Sequence, residues 1–311
     1  MRSIKLTLAY DGTAYAGWQV QQGETTVQEV LERAIEKITG ESVRVLASGR
    51  TDAGVHALGQ VVGFRTETHL AADVLRRALN AELPHDVAVL EAVEVDESFH
   101  PIRDAVRKRY RYVIDDGPVR DVFRRRYCWH YPGRLDHVAM ARAARALVGT
   151  HDFRSFETSG APRKDSIRTI YELKVERGRG GDPGVGEPSL PAPDWENVVR
   201  PGGTGVSPVH GQDARRTLAR PCRACSVTPG QSQAGQGRGG PPSLTTIEVE
   251  ADGFLYNMVR AIVGTLVEVG RGAREEAWVA GVLAAQDRRA AGPTAPPQGL
   301  FLVRVDYEEI G

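Results

Sequence analysis

From Ile4 to Tyr10 the chain sets Ile4, Leu6, Leu8 and Tyr10 against Lys5, Thr7 and Ala9. That period of two predicts a half-buried strand ending at the turn Asp11-Gly12-Thr13. A helix is predicted next, because Thr26 and Glu29 have capping-box spacing and Val27, Val30, Leu31, Ala34, Ile35 and Ile38 recur at helical intervals before Gly40. Strands are predicted at Val43 to Ala47, Gln60 to Thr66 and Val87 to Val95, with a helix at Ala72 to Ala81. The N-terminal part therefore reads β-α-β-β-α-β, an α+β layout.

Alternation resumes from Lys108 to Ile114, placing Tyr110, Tyr112 and Ile114 on one face and Arg109 and Arg111 on the other. A helix is predicted from Leu135 to Val148, with Asp136 as N-cap and Gly149 just past its end, followed by a strand from Ile167 to Glu176. Between about Gly178 and Ser243 periodicity vanishes and Gly plus Pro make up roughly one-third of the residues, the composition of a flexible insertion. An alternating strand stops just before it and another, Ile247 to Ala251, starts just after, so the segment reads as an expanded hairpin turn. The remainder predicts an apolar helix from Leu255 to Val269, a second helix from Arg274 to Ala285 and a last strand from Leu300 to Tyr307. Residues 1–104 and 105–311 are expected to form two α+β domains, the second interrupted at 178–243.

No run approaches the ~20 apolar residues of a membrane span, and Met1-Arg2-Ser3-Ile4-Lys5 leads into alternation instead of a signal-peptide core. With three cysteines, Cys128, Cys222 and Cys225, no disulfide framework is expected, and a cytoplasmic location fits. The net charge of zero gives no argument for nucleic acid, but charge is unevenly spread. Between Arg103 and Arg126 arginines and Lys108 outnumber the acids and alternate with Tyr110, Tyr112 and Phe123. Such a stretch can touch phosphates and stack on bases, or simply be a solvated face. The pair Cys222 and Cys225 has zinc-ligand spacing without a second pair, so no metal is expected.

The densest chemistry lies in Ser48-Gly49-Arg50-Thr51-Asp52-Ala53-Gly54-Val55-His56-Ala57, where a Gly-flanked loop after a short strand offers Arg, Asp and His. By itself an Asp in such a turn is as well explained by backbone capping, and His56 by packing; His56 is given no role.

That loop, with Tyr10-Asp11-Gly12-Thr13-Ala14-Tyr15-Ala16-Gly17-Trp18-Gln19-Val20-Gln21, resembles the tRNA pseudouridine synthase A family, the tRNA pseudouridine(38–40) synthases. Further matching blocks are Lys108 to Tyr112, Gly149 to Phe156, Asn257 to Gly264 and Ala291 to Pro296, in the family's order across nearly the whole chain. The resemblance implies the pseudouridine-synthase fold: two similar α+β halves, with mixed and mainly antiparallel sheets, flanking a basic cleft. It implies an isomerase that converts uridine to pseudouridine at positions 38, 39 and 40 of the tRNA anticodon stem-loop, without cofactor or metal, as a homodimer. Residue by residue it makes Asp52 the catalytic carboxylate, Tyr110 the active-site tyrosine, Arg260 the basic partner and Arg50 a contact to the RNA target. Two stretches depart from the pattern: the 178–243 segment, and Phe99-His100-Pro101-Ile102-Arg103-Asp104-Ala105, which only loosely follows the usual Phe-His-Ala-Arg.

These residue types suit the reaction. Moving the uracil from a C1′–N1 to a C1′–C5 link needs no redox change and no hydrolysis, and one carboxylate can act at C1′ or add to C6 of the base. Burial would raise the pKa of that carboxylate, so a guanidinium is the expected counterweight. Arg260 projects about 110° from the centre of its helix's apolar stripe, within sideways reach. A non-catalytic RNA-binding protein is the alternative reading, though it would have no need of Asp52 beside Arg50. A carboxylate-dependent hydrolase would need a second acid or a metal cluster near Asp52, and the sequence offers neither.

Overall fold

The alternating segments pair into one ten-stranded sheet in the structure, a computed structural model that describes residues 1–158, 165–179 and 243–308. In chain order the main elements are β1 (Arg2–Tyr10), α1 (Val27–Thr39), β2 (Leu46–Ala47), β3 (His56–Thr66), α2 (Ala72–Glu82), β4 (Val87–Val95) and β5 (Ala105–Asp115). There follow β6 (Trp129–His130), α3 (His137–Ala144), β7 (Gly149–Asp152), β8 (Ile167–Arg179), β9 (Ser243–Ala251), α4 (Met258–Gly270), α5 (Trp278–Ala285) and β10 (Leu300–Tyr307). The first six reproduce the expected β-α-β-β-α-β order. Only two residues of the Val43 to Ala47 segment pair as a strand, and β3 starts at His56, four residues earlier than its alternation indicates.

Helix boundaries follow local chemistry. The Thr26 side chain accepts from the Glu29 amide at the start of α1, and Gly40 ends it at φ 75°. Asp136 accepts from the Val138 and Ala139 amides at the start of α3. That helix stops at Ala144 and a 3₁₀ turn, Arg145–Leu147, carries the chain to Gly149, so the expected helix is split.

The strands run β4-β1-β3-β10-β5-β9-β8-β7, with β2 on β3 and β6 on β5. Pairing is antiparallel except for β5 with β6 and β10 with β3. Between β10 and β3 the parallel register covers only Phe301 opposite His56 and Leu302 opposite Ala57, whereas β10 follows β5 from Leu300 to Tyr307. The last strand thereby joins the strands of residues 1–104 to those of the later residues. The hairpin flanking the Gly/Pro-rich segment is present, with β8 and β9 paired from Ile170 opposite Ala251 to Arg179 opposite Ser243. Residues 180–242, with Cys222 and Cys225, lie outside the described residues.

Period-two alternation divides β5 as its sequence indicates. Tyr110, Tyr112 and Ile114 join the core beneath the helices, and Val113 joins a second small cluster with Cys128, Leu244 and Phe301. Arg109 and Arg111 point away from the main core and are engaged by acids within the protein. Arg109 pairs with Glu172, Glu248 and Glu250 at 2.9, 3.0 and 2.8 Å, and Arg111 pairs with Glu248 at 2.7 Å. Burial works against the Glu250 carboxylate, but Arg109, Arg107 and Arg304 hold its pKa below the usual range. These arginines complement the acids of neighbouring strands, a pairing that the local sequence cannot reveal.

The apolar helix α4 is buried along almost its whole length and meets the 291–296 segment with no room to spare. A Cβ on Gly264 would stand 1.7 Å from the Pro293 carbonyl oxygen. Gly264→Ala is therefore expected to destabilise the fold by about 3 kcal/mol or more, read as a lower midpoint of urea unfolding.

Candidate active site

A polar network beneath the 48–55 loop fixes its path. Gln60, on β3, donates to the Gly49 carbonyl at 2.8 Å and accepts from the Ser48 hydroxyl at 2.8 Å. The Tyr10 and Thr51 hydroxyls share a hydrogen bond of 2.8 Å, and Gln60 donates to the Tyr10 oxygen at 3.4 Å. Tyr10, Ser48, Thr51 and Gln60 are all buried, so each bond is made in a medium where a missing partner would be costly. Burial pushes the Tyr10 phenol up to about 12, despite the bonds from Thr51 and Gln60.

The Tyr10 to Gln21 block supports the loop from another side. The Trp18 amide donates to the Thr51 carbonyl at 3.0 Å and the Gly54 amide to the Tyr15 carbonyl at 3.4 Å. Gly17 adopts φ 98°, and a Cβ there would stand 2.7 Å from the Thr51 oxygen. Only glycine satisfies both the conformation and the approach.

Asp52 emerges from this scaffold with its side chain 25% exposed, and its Oδ2 receives Arg260 Nη1 at 3.3 Å. Arg260 sits in the first turn of α4 with its side chain 16% exposed. Its Nε donates to the Ala295 carbonyl at 2.7 Å, the Ala295 amide donates back to the Arg260 carbonyl at 3.0 Å, and its Nη1 donates to Asn257 Oδ1 at 2.8 Å. Asn257 holds the left-handed conformation at φ 60° just before the helix. The guanidinium is thus aimed by two groups, the Ala295 carbonyl and the Asn257 side chain, before it meets the acid. Burial raises the Asp52 pKa and Arg260 lowers it, with burial the larger effect.

Both side chains line a cavity of about 1080 Å³ that also includes Tyr110, Arg50, Phe254 and Leu300. Tyr110 is buried on β5 and meets Phe254 edge to face at 5.0 Å. Burial, then the neighbouring Tyr10 and Asp52, raise its pKa, so it is a neutral phenol at physiological pH. Arg50 is exposed on the cavity wall and has no hydrogen-bond or ion-pair partner among the described residues. The structure therefore brings Asp52, Tyr110, Arg260 and Arg50 to one cavity, although they come from three separate segments of the chain.

His56 stands apart from them. Its Nδ1 accepts from the Gly12 amide at 3.1 Å, its Nε2 lies 2.9 Å from the Arg126 carbonyl, and its ring stacks on Phe301. Burial lowers its pKa, against the pull of Asp11. Two further residues, one beneath the cavity and one on its wall, escape single-sequence reasoning. Gln60 reads as an ordinary strand residue until its bonds are seen, and Ile102, in the stretch that departs from the Phe-His-Ala-Arg pattern, lies on the cavity wall. Arg103 does not take that place, since it is tied to Asp104 and the Ser98 carbonyl. No cluster of three or more His, Cys, Asp or Glu side chains able to hold a metal occurs among the described residues.

The sequence profile described as tRNA pseudouridine synthase matches residues 7–102 and 143–308. The chain belongs to the tRNA pseudouridine synthase family. As a member it is an isomerase that forms pseudouridine in tRNA, on a mixed α+β fold with a mostly antiparallel sheet. It is similar to proteins named tRNA pseudouridine synthase A from Thermoanaerobacter sp. (strain X514), 39% identical over 99% of this chain and 100% of the relative. The corresponding proteins of Brevibacillus brevis and Moorella thermoacetica are 40% and 41% identical, each over 99% of this chain and the whole relative. Asp52 and Arg260 fall inside the profile's matched stretches and Tyr110 falls between them.

The opposing effects on Asp52 give a signed expectation. Arg260→Gln removes the lowering influence and leaves burial, so the carboxyl should titrate at higher pH than in the unmodified protein. Carbon-13 NMR of the labelled Asp52 carboxyl against pH checks this, and an unchanged or lower midpoint would show that the ion pair does not control the charge.

Proposed function

We propose that this enzyme isomerises uridines 38, 39 and 40 in the anticodon stem-loop of tRNA, in the cytoplasm and as a homodimer, with Asp52 as its catalytic carboxylate. The observation that carries the reading is the Asp52–Arg260 pair, 3.3 Å apart and largely withdrawn from water, in the same cavity as a neutral phenol and an unpartnered arginine. The positions on the tRNA and the pairing of two copies rest on the family resemblance.

In the reaction the C1′–N1 bond breaks, the uracil turns, C1′ bonds to C5, the proton leaves C5, and N1 ends protonated. Atoms and electrons balance within the nucleotide apart from proton exchange. The ionised Asp52 acts as nucleophile or charge stabiliser at C1′, or adds to C6; both routes need its negative charge. Arg260 keeps that charge present in a site whose burial opposes it. Tyr110, a phenol rather than a phenolate, supplies a ring for the extruded base and a hydrogen-bonding group beside the reacting carbons. Arg50 is available to a phosphate or to the flipped nucleotide because no protein group engages it among the described residues. For a target inside a stem, extrusion costs a few kcal/mol, which contacts of this kind offset.

Asp52→Ala should lower pseudouridine formation in a tRNA transcript by about 10³-fold or more while leaving RNA binding within a few-fold. Mapping pseudouridine in the anticodon arm reads the outcome, and failure of the unmodified protein to convert any of the three uridines would refute the assignment. Tyr110→Phe should keep RNA affinity and lose about 10²-fold in single-turnover rate. A full single-turnover rate for that variant would remove the phenol from the chemistry.

A further inference from the structure

We infer that Leu46 and Ile102 form an apolar wedge which takes the place of the extruded uridine against its neighbouring bases in the RNA. The inference rests on the proposed reaction, in which a base leaves the stack, and concerns what fills the space behind it. Extrusion exposes two apolar base faces to water, and proteins that unstack nucleic acids commonly insert aliphatic side chains at that point.

The cavity is polar where Asp52, Asn257 and Arg260 meet, but its lining also includes exposed aliphatic side chains. Leu46 is 46% exposed and Ile102 is 54% exposed, and both line the cavity. Leu46 lies opposite Gly63 in the β2–β3 ladder, and the Pro101 ring packs over the bare Cα of that glycine. This packing brings the 101–102 turn against the strand pair that carries Leu46. Isolated exposed aliphatics are ordinary on a protein surface. Two on the wall of the substrate cavity, which Arg50 also lines, offer an apolar surface for a base beside a cation for an adjoining phosphate, whereas Arg44 on the same wall is paired with Glu32 at 3.2 Å. Arg50 adjoins Gly49, whose carbonyl Gln60 holds, so the cation next to the wedge is carried on a fixed backbone. Arg103, the nearest arginine in sequence to Ile102, is turned to Asp104 and Ser98 and does not compete for the place.

A wedge matters most where the target is paired and stacked, so the test compares two synthetic anticodon stem-loops. In one the target uridine pairs with adenine; in the other it faces a uridine and leaves the stack at lower cost. The Leu46→Ser, Ile102→Ser double variant should lose about tenfold or more in kcat/KM on the paired substrate and less than about threefold on the mismatched one. Activity on the mismatched RNA also verifies that the variant folds. Leu46→Met with Ile102→Leu should retain both activities. Equal losses on the two substrates, or no loss on the paired one, would overturn the wedge while leaving the isomerase reading intact. An unmodified enzyme inactive on both RNAs would overturn that reading and the wedge with it.

Discussion

One ion pair joins residues 208 positions apart and ties together the two sides of the candidate active site. Asp52 enters it from a loop at the start of β3, and Arg260 from the first turn of α4. Burial alone would tend to neutralise the acid, and a lone buried guanidinium would be costly in turn. Each group makes the other tolerable, and the carboxylate keeps its charge in a place where water cannot easily solvate it. The rest of the site can be understood as the means of holding these two side chains in register.

Most of that means is backbone. Gln60 fastens the Gly49 carbonyl, the Tyr10 hydroxyl secures Thr51, Trp18 grips the Thr51 carbonyl and the Tyr15 carbonyl holds the Gly54 amide, so residues on both sides of Asp52 are fixed by groups that do not touch its carboxylate. On the other side, Ala295 and Arg260 exchange hydrogen bonds, and the Tyr112 hydroxyl donates to the Pro296 carbonyl at 2.7 Å. The sequence blocks around Tyr10, Asp52, Tyr110, Arg260 and Ala295 are thus parts of one structure. Each is needed for its fit to another block, which explains why so many small and aromatic residues occur in them.

Local pattern made much of this readable. The period of two in β1, β5 and β10, the cap at Thr26 and the helix stop at Gly40 are short-range signals, and the structure follows them closely. Asp52 stood out because glycines bracket it. What stayed hidden depends on partners distant in the chain. Which acids the arginines of β5 meet, Glu172, Glu248 and Glu250, cannot be told from their own strand. Gln60 looks like any polar strand residue until Gly49 lies above it. That β10 would enter the middle of the sheet follows from neither its alternation nor its place in the sequence.

That central position constrains synthesis. A nascent polypeptide on the ribosome can complete β4-β1-β3 and β5-β9-β8 before Leu300–Tyr307 has been translated, leaving unpaired edges on β3 and β5. Open edges of this kind invite association with other chains. The two sub-assemblies are zipped by the strand made after all the other described elements. A truncated product lacking it would therefore be a target for chaperones and proteases, never a partly competent enzyme.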